Sequence, residues 1–172
     1  LSSTATGSAI YGNYINSGVA TTSNNMIALG NGITKGYVIT GIYQSSTTSA
    51  NNHYFNSVYI GGTASAAGSN TNAFYSVSAT HTLQDNIFYN ARTQSAGAGN
   101  HYAINVAAKT NLTSDYNDLY SSVAANLGLI NATTETFANW KSASPAGDAN
   151  SVNGNPGFLA PTSAITPNLH LS

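Results

Sequence analysis

Apolar residues along the chain come in short runs, and clusters of Gly, Ser, Asn and Thr separate one run from the next. Ile, Val, Phe and Tyr dominate the runs, and no helical period persists between residues 1 and 120. Short β-branched and aromatic segments bounded by turn residues are typical of strands. The first two thirds of the chain are therefore predicted to be short strands joined by polar turns.

The runs resemble one another at a regular distance along the chain. GIYQSS at 41–46 aligns with AFYSVS at 73–78 and with AINVAA at 103–108. Self-similarity at a period of about 30 residues indicates a repeat architecture.

A second set of runs follows the first set at nearly the same spacing. NSVYI at 56–60 aligns with DNIFY at 85–89, and DYNDLY at 115–120 follows one repeat later. NYIN at 13–16 and MIAL at 26–29 form an earlier, weaker copy of the two sets. The region 1–120 therefore contains roughly four repeats of about 30 residues.

A chain of short strands can bury its apolar side chains by coiling, so that each strand stacks on its copy one rung earlier. This arrangement predicts an all-β fold, a right-handed parallel β-helix with an irregular C-terminal closing segment. An antiparallel β-sandwich also uses short strands and frequent turns. The sandwich, however, gives no reason for the recurrence of the two sets of runs.

Polar turn positions recur together with the strands. Asn56, Asp85 and Asp115 share one phase of the alignment, and Asn86 and Asn117 share a neighbouring phase if two residues are inserted. Asn tolerates unusual backbone angles in turns. When it stacks about 4.8 Å from a copy of itself, its amide can donate to the next carbonyl oxygen. The repeat therefore predicts ladders of Asn side chains.

Charge is scarce in this chain. Only nine of 172 residues are Asp, Glu, Lys or Arg and the net charge is −1, whereas Asn, Ser and Thr together make up more than a third of the chain. Four scattered basic residues give no footprint for nucleic acid or for an anionic membrane. Cysteine is absent, and no apolar run approaches the ~20 residues of a membrane span. The chain begins at Leu1 without a signal peptide, so we expect a fragment of a longer protein.

The last third of the chain, residues 124–172, departs from the repeat and is predicted to close the coil. Thr133 or Thr134 is a candidate N-cap for one short helix that carries Phe137 and Trp140. We expect both aromatic rings to cover the end of the core, because a solenoid needs a capped terminal rung. The alternative for Trp140 is a platform on which a sugar stacks.

The C-terminal motifs resemble a known group of proteins. DYNDLY at 115–120, FANWKSASPAGDANS at 137–151, NPGF at 155–158 and NLHL at 168–171 are similar to the final coils of secreted right-handed β-helix proteins of the pectin-lyase-like superfamily. The resemblance covers residues 110–172 closely and the earlier repeats only in style. It implies a large secreted or surface-exposed bacterial protein. That superfamily holds polysaccharide lyases, glycosidases, phage tailspikes and adhesins, so the resemblance implies a fold rather than one activity.

Acidic residues are the first candidates for chemistry. Asp85 and Asp115 would stack one rung apart, with Asp118 close by. Such a group could hold Ca²⁺ or act as an acid and base pair on a glycosidic bond. Alternatively, each Asp replaces Asn in a turn and accepts hydrogen bonds from backbone N–H groups. We favour the turn role, and we assign no catalytic, metal-binding or cofactor-binding residue.

The remaining candidates are basic and aromatic. Arg92 and Lys109 are the nearby bases, but neither lies in a motif typical of the superfamily's lyases. The four histidines have no regular spacing and are expected at outward or turn positions: His53, His81, His101 and His170. Tyrosines recur with the strands, where they suit a half-buried pleated surface. An exposed tyrosine column could bind a glycan by stacking.

Two functions from different classes fit the sequence. The first is a non-catalytic structural or adhesive solenoid section of an exported bacterial protein, with polysaccharide or copies of itself as partners. The second is a carbohydrate-active enzyme, a lyase or glycosidase that uses Asp85, Asp115 and Asp118 in a groove. In both cases we expect an extracellular or cell-surface location.

Overall fold

Four successive rungs of short strands form the body of the structure. The computed structural model describes residues 8–65, 68–77, 80–110, 112–143, 147–163 and 166–172, so Ser78 of the first set of runs and residues 144–146 of the tail lie outside this part. The first rung contains β1 (Ala9–Ile15), β2 (Thr21–Ser23) and β3 (Met26–Leu29). The second contains β4 (Val38–Gln44), β5 (Asn51–Tyr54), β6 (Ser57–Ile60) and the short β7 (Thr63–Ala64).

The next two rungs repeat this order. The third contains β8 (Thr71–Ser76), β9 (His81–Gln84), β10 (Ile87–Asn90) and the short β11 (Thr93–Gln94). The fourth contains β12 (His101–Val106), β13 (Leu112–Asp115) and β14 (Asp118–Ser121). The closing part contains a 3-10 turn (Ala124–Asn126), β15 (Gly128–Ile130), β16 (Thr133–Glu135), α1 (Phe137–Ser142), β17 (Phe158–Ala160) and β18 (Asn168–Leu171).

Corresponding strands of successive rungs pair in parallel and form three long faces. Face 1 runs β1-β4-β8-β12-β15, face 2 runs β2-β5-β9-β13, and face 3 runs β3-β6-β10-β14. Ile42 lies beside Phe74, and Phe74 lies beside Ile104, as the alignment of the first set of runs requires. The prediction of an all-β solenoid of about four rungs is confirmed.

The core lies inside the three faces and consists of stacked side chains. One column contains Ile42, Phe74 and Ile104, and a second contains Val58, Phe88 and Leu119; all six are fully buried. Burying an aliphatic or aromatic side chain of this size contributes about 1.5–3 kcal/mol. A single rung cannot bury these residues on both sides, so the rungs stabilise one another.

The C-terminal end of the coil is closed. β15 adds to face 1 beside β12, after which β16 turns back antiparallel to it. α1 then carries Trp140, which is fully buried, and Phe137, which packs against the same core cluster. This confirms the predicted short helix and the covering role of the two rings. The predicted cap at Thr133 or Thr134 is wrong, because both lie in β16 and Thr136 accepts the capping bond from Asn139 N–H.

The chain after α1 first pairs with the fourth rung and then forms a separate hairpin. Gly147 bridges Ser114 and Val152 bridges Asp118, so this segment begins a fifth rung above faces 2 and 3. β17 and β18 pair antiparallel, and Phe158 of β17 contacts Tyr59 and Tyr89 on face 3. The hairpin therefore lies against the side of the coil rather than over its end. None of the described helices is long and apolar enough to cross a membrane.

Candidate functional site

A column of asparagines, here called the asparagine ladder, runs along the corner between faces 2 and 3. It contains Asn25, Asn56, Asn86 and Asn117. The Nδ2 of each of the first three donates to the Oδ1 of the next residue, at 2.8, 2.9 and 3.0 Å along the stack. The same Oδ1 atoms accept the backbone N–H of the preceding rung at 2.9–3.2 Å. The predicted Asn ladder is therefore present, and it satisfies donors and acceptors inside a coil with few charges.

The residue before each ladder Asn adopts the left-handed conformation. The φ values are 57° at Asn24, 55° at Phe55, 57° at Asp85 and 58° at Tyr116. This conformation turns the chain sharply between faces 2 and 3. Only Asn and Asp tolerate it well among these residue types. The ladder position is therefore Asn in all four rungs, whereas the residue type at the turn position before it varies.

Asp85 and Asp115 do not share a position in the repeat, contrary to the sequence alignment. Asp115 pairs with Gln84, whereas Ile87 pairs with both Ser57 and Asp118 and so places Asp85 level with Tyr116. The alignment was one residue out because it matched Asn56 to Asp85. A slip of one residue sends a strand side chain to the opposite face. The prediction that the two carboxylates stack is therefore wrong, and the two-residue insertion is not needed.

Asp115 and Asp118 both bind the segment that begins the fifth rung. Asp115 accepts Asn150 N–H at 2.7 Å, Asn150 Nδ2 at 2.8 Å and Tyr116 N–H at 3.0 Å. Desolvation opposes its ionisation, but these hydrogen bonds outweigh it and hold the pKa of Asp115 below its usual value. Asp118 accepts Gly154 N–H at 3.0 Å, and burial raises its pKa. Both carboxylates serve as turn acceptors, which is the alternative favoured by the sequence.

Asp148 is the most highly connected acid, and sequence reasoning gave it no role. It is fully buried and accepts Trp140 Nε1 at 2.7 Å, Ser151 Oγ at 2.7 Å and Ser114 Oγ at 2.9 Å. It thereby ties the helix to the fourth rung and to the fifth. Because Trp140 is buried, the alternative that it offers a ring to a sugar is wrong. In the sequence, the only signal for this contact is an Asp that follows the single Trp by about two helical turns.

Arg92 is buried inside the coil rather than exposed in a groove. Its guanidinium donates to four backbone carbonyls, at 3.3 Å to Gly30, 3.0 Å to Gly61, 3.0 Å to Ile33 and 2.9 Å to Lys35. Burial lowers its pKa. Arg92 therefore fastens the turns that follow face 3 in three successive rungs, and it is not available as the base of a lyase reaction.

Lys109 is the second base, and it lies at the closed end of the coil, against Trp140. Its Nζ sits 3.8 Å from the centroid of the Trp140 ring and donates to the Trp140 carbonyl. Burial lowers the pKa of Lys109 to about 8, while the nearby charges of Asp148 and Glu135 oppose this shift. The ammonium group thus caps the helix and covers the indole ring.

Three of the four histidines are core residues, contrary to expectation. His53 Nδ1 lies 2.6 Å from Thr22 Oγ1, His101 Nδ1 lies 2.9 Å from Thr71 Oγ1, and His81 Nε2 bonds Ser76. Within the described part of the chain, the second ring nitrogen of each histidine has no hydrogen-bond partner. Burial lowers the pKa of His53 to about 3 and that of His81 and His101 to about 4. These rings are therefore neutral at ordinary pH.

Ionisable groups do not gather into a metal site in the described ranges. No group of three or more His, Asp or Glu side chains among those residues is placed to hold an ion. Asp115, Asp118 and Asp148 instead contact backbone and hydroxyl donors of the closing segment. These hydrogen bonds hold the closing segment on the fourth rung.

Tyrosines form two stacked columns on the outside of the coil. The covered column contains Tyr59, Tyr89 and Tyr120, with ring centroids 5.8 and 4.3 Å apart, and Phe158 packs edge-on against its first two rings. The open column lies on face 1 and contains Tyr11, Tyr14, Tyr43 and Tyr75. Sequence reasoning predicted recurrent half-buried tyrosines but could not say which column the hairpin covers.

Comparisons with known proteins gave no match to a family model, to a curated protein or to a solved structure.

Proposed function

We propose that this chain is a non-catalytic structural or adhesive section of an exported bacterial surface protein, built on the right-handed β-helix of the pectin-lyase-like superfamily. The superfamily assignment rests on the C-terminal motifs. The observation that carries the non-catalytic role is that the candidate groups are engaged in holding the coil together. Asp115 and Asp118 bind backbone N–H groups of the next rung, and Arg92 binds four carbonyls.

The two ends of the coil differ, which supports a role as one section of a longer solenoid. Among the described residues, none pairs with the outer edges of β1, β2 and β3. Ile10 and Ile27 are half-buried there, whereas Ile39 and Val58, their neighbours on the second rung, are fully buried. Open strand edges next to an open core favour the addition of another rung. At the other end β16 and α1 cover the core.

Among the described residues, the three outer strand edges at this end have no partner strand, and a rung that adds here must match all three. Only another solenoid rung presents three matching edges at once, either from polypeptide that precedes this section or from a second copy of the chain. A second copy cannot add through its C-terminal end, because β16 and α1 close that end. We infer that self-association of this section joins two N-terminal ends and stops at a dimer.

The surface chemistry favours a neutral partner. The chain has few charges, and Arg92 and Lys109 are buried. Surface hydroxyl and amide groups, which donate and accept hydrogen bonds without carrying charge, suit a neutral polysaccharide better than a charged one. Binding of this kind would give the rigid coil an adhesive role.

One screen separates this proposal from the alternative of a carbohydrate-active enzyme. The chain is incubated with a panel of neutral and uronate polysaccharides, with and without Ca²⁺, and new chain ends are measured beside binding on a glycan array. We expect no cleavage in either condition. Cleavage that disappears in Asp115→Asn or Asp118→Asn would overturn the proposal, because those carboxylates would then act on substrate.

A further inference from the structure

The open tyrosine column is a cluster of rings in mutual contact at the surface. The centroid of Tyr43 lies 5.1 Å from that of Tyr11, 5.1 Å from that of Tyr14 and 4.9 Å from that of Tyr75. Tyr11 and Tyr14 are themselves 5.4 Å apart. These two rings are 41% and 51% exposed, so reagents in solution reach them.

Each ring of this column lies against at least one neighbouring ring, so stacking within the column occupies ring faces. Tyr14 Oη donates to Asn16 Oδ1 and accepts from Ser45 Oγ, both at 3.2 Å. A sugar needs a free ring face to stack on, whereas a reaction at the ring edge does not. The geometry therefore favours chemistry between neighbouring phenols over glycan stacking along this column.

We propose that Tyr11, Tyr14 and Tyr43 form an oxidative cross-linking site, at which a peroxide-driven one-electron oxidant joins Tyr43 to one of the other two rings. Each phenol loses one electron and its hydroxyl proton and becomes a phenoxyl radical. Two radicals couple through the ring carbons next to the oxygens, and the two ring hydrogens then return to the oxygens. One carbon–carbon bond forms, and the two hydrogen atoms removed reduce one hydrogen peroxide to two waters.

The bond would fasten the first rung to the second. β1 is the outermost strand of face 1, and among the described residues only β4 pairs with it. The chain has no cysteine, so a disulfide cannot provide this link. A tyrosine cross-link therefore gives a cysteine-free coil a covalent tie at its open end, under oxidising conditions of the kind met outside cells.

Two features of the same molecule serve as controls. The rings of the covered column are stacked at similar or shorter distances, but Phe158 packs against Tyr59 and Tyr89, and Tyr59 is only 4% exposed. Tyr116 is 55% exposed, and no ring contacts it among the described residues. The pair Tyr59 and Tyr89 therefore supplies stacked rings that Phe158 covers, and Tyr116 supplies an exposed ring without a neighbouring ring.

The test is oxidation of the dilute, folded chain with a peroxidase and hydrogen peroxide, followed by dityrosine fluorescence and peptide mapping by mass spectrometry. We expect an intramolecular product that lacks two hydrogens and links Tyr43 to Tyr11 or Tyr14. Tyr43→Phe, which retains the stacked ring, should abolish that product, whereas Tyr89→Phe should leave its yield unchanged. The urea midpoint of the cross-linked chain should rise above that of the untreated chain.

Two results would overturn the proposal. One is a product that maps mainly to Tyr89 and Tyr120, since proximity alone would then decide the reaction. The other is cross-linking that occurs only between molecules, rises with protein concentration and involves Tyr116 as much as Tyr43. Circular dichroism of Tyr43→Phe, matched to that of the parent chain, ensures that loss of the product reflects the missing phenol rather than unfolding.

Discussion

The indole N–H of Trp140 donates to Asp148 Oδ2 at 2.7 Å, and both side chains are fully buried at the closed end of the coil. Asp148 Oδ1 meanwhile accepts hydroxyl hydrogen bonds from Ser114 of the fourth rung and Ser151 of the fifth. One carboxylate therefore connects the helix, the last complete rung and the rung above it. The end of the solenoid is therefore closed by the hydrogen bonds of Asp148 as well as by the buried Trp140 ring.

Substitution of Asp148 should destabilise the closed end of the coil. We expect Asp148→Ala to lower the free energy of unfolding by about 2–4 kcal/mol, because it leaves several buried donors without an acceptor. Urea unfolding followed by the fluorescence of the single tryptophan measures the loss. Asn153→Ala is the control, since Asn153 is exposed and should change stability by less than about 0.5 kcal/mol. Equal effects of the two substitutions would contradict the role of Asp148.

Stability should fall on acidification well before the carboxylates of a typical protein would titrate. Burial depresses the pKa of His53 to about 3 and that of His81 to about 4, whereas an unfolded histidine titrates near 6.5. The unfolded chain therefore binds more protons between these values, so the stability is complete above pH ~6.5 and is lost as the pH falls towards the folded pKa values. Each such histidine contributes a slope of up to about 1.4 kcal/mol per pH unit.

Urea unfolding at a series of pH values from 7.5 down to 4.5 measures this slope. His53→Gln should flatten the profile, because it removes the most strongly shifted group. His170→Gln should leave the slope as it is, because His170 is exposed on β18. A profile that stays level between pH 6.5 and 4.5 in the parent chain would mean that the three buried rings accept protons without cost.

The turn before the asparagine ladder carries an unfavourable residue at one rung. Phe55 has φ 55° and is 59% exposed, so it strains the backbone and buries little surface in return. Phe55→Asn should stabilise the chain by about 0.5–1 kcal/mol, since Asn tolerates this conformation and occupies it at Asn24. Phe55→Val should destabilise it by about 1 kcal/mol or more. Thermal unfolding of both variants gives the order, and a Val variant as stable as the Asn variant would contradict it.

The fold was predictable because stacking puts the same demand on the same position of every rung. Ile42, Phe74 and Ile104 occupy one core column, and the spacing of their runs was visible in the sequence. The register at the corner between faces 2 and 3 was not predictable, because the residue at the left-handed position differs in chemical type from rung to rung. Phe55, Asp85 and Tyr116 all fill it, and an Asp there resembles an Asn at the ladder position beside it. That resemblance caused the one-residue error at Asp85.

The contacts of the tail were largely invisible to sequence reasoning for a different reason. A periodic pattern indicates which residues are neighbours one rung apart. The contacts of the tail instead join residues far apart in the sequence: Phe158 packs against Tyr59, and Asn31 Nδ2 donates to the Pro161 carbonyl. The buried histidines were missed because their inward positions depend on the register. His53 lies beside Leu83, and His81 lies beside Leu112, in the strands of face 2, so each of two inward columns mixes histidine with leucine.

The central claim is that hydrogen bonds between polar side chains stabilise the stack of rungs. Asn86 lies in the middle of the asparagine ladder, where it donates to Asn117 and accepts from Asn56. The most direct test is the free energy of unfolding of Asn86→Ala in urea, measured beside Asn153→Ala, which removes an exposed amide. We predict a loss of about 2 kcal/mol or more for Asn86→Ala and less than about 0.5 kcal/mol for Asn153→Ala. Equal stability of the two variants would contradict the claim.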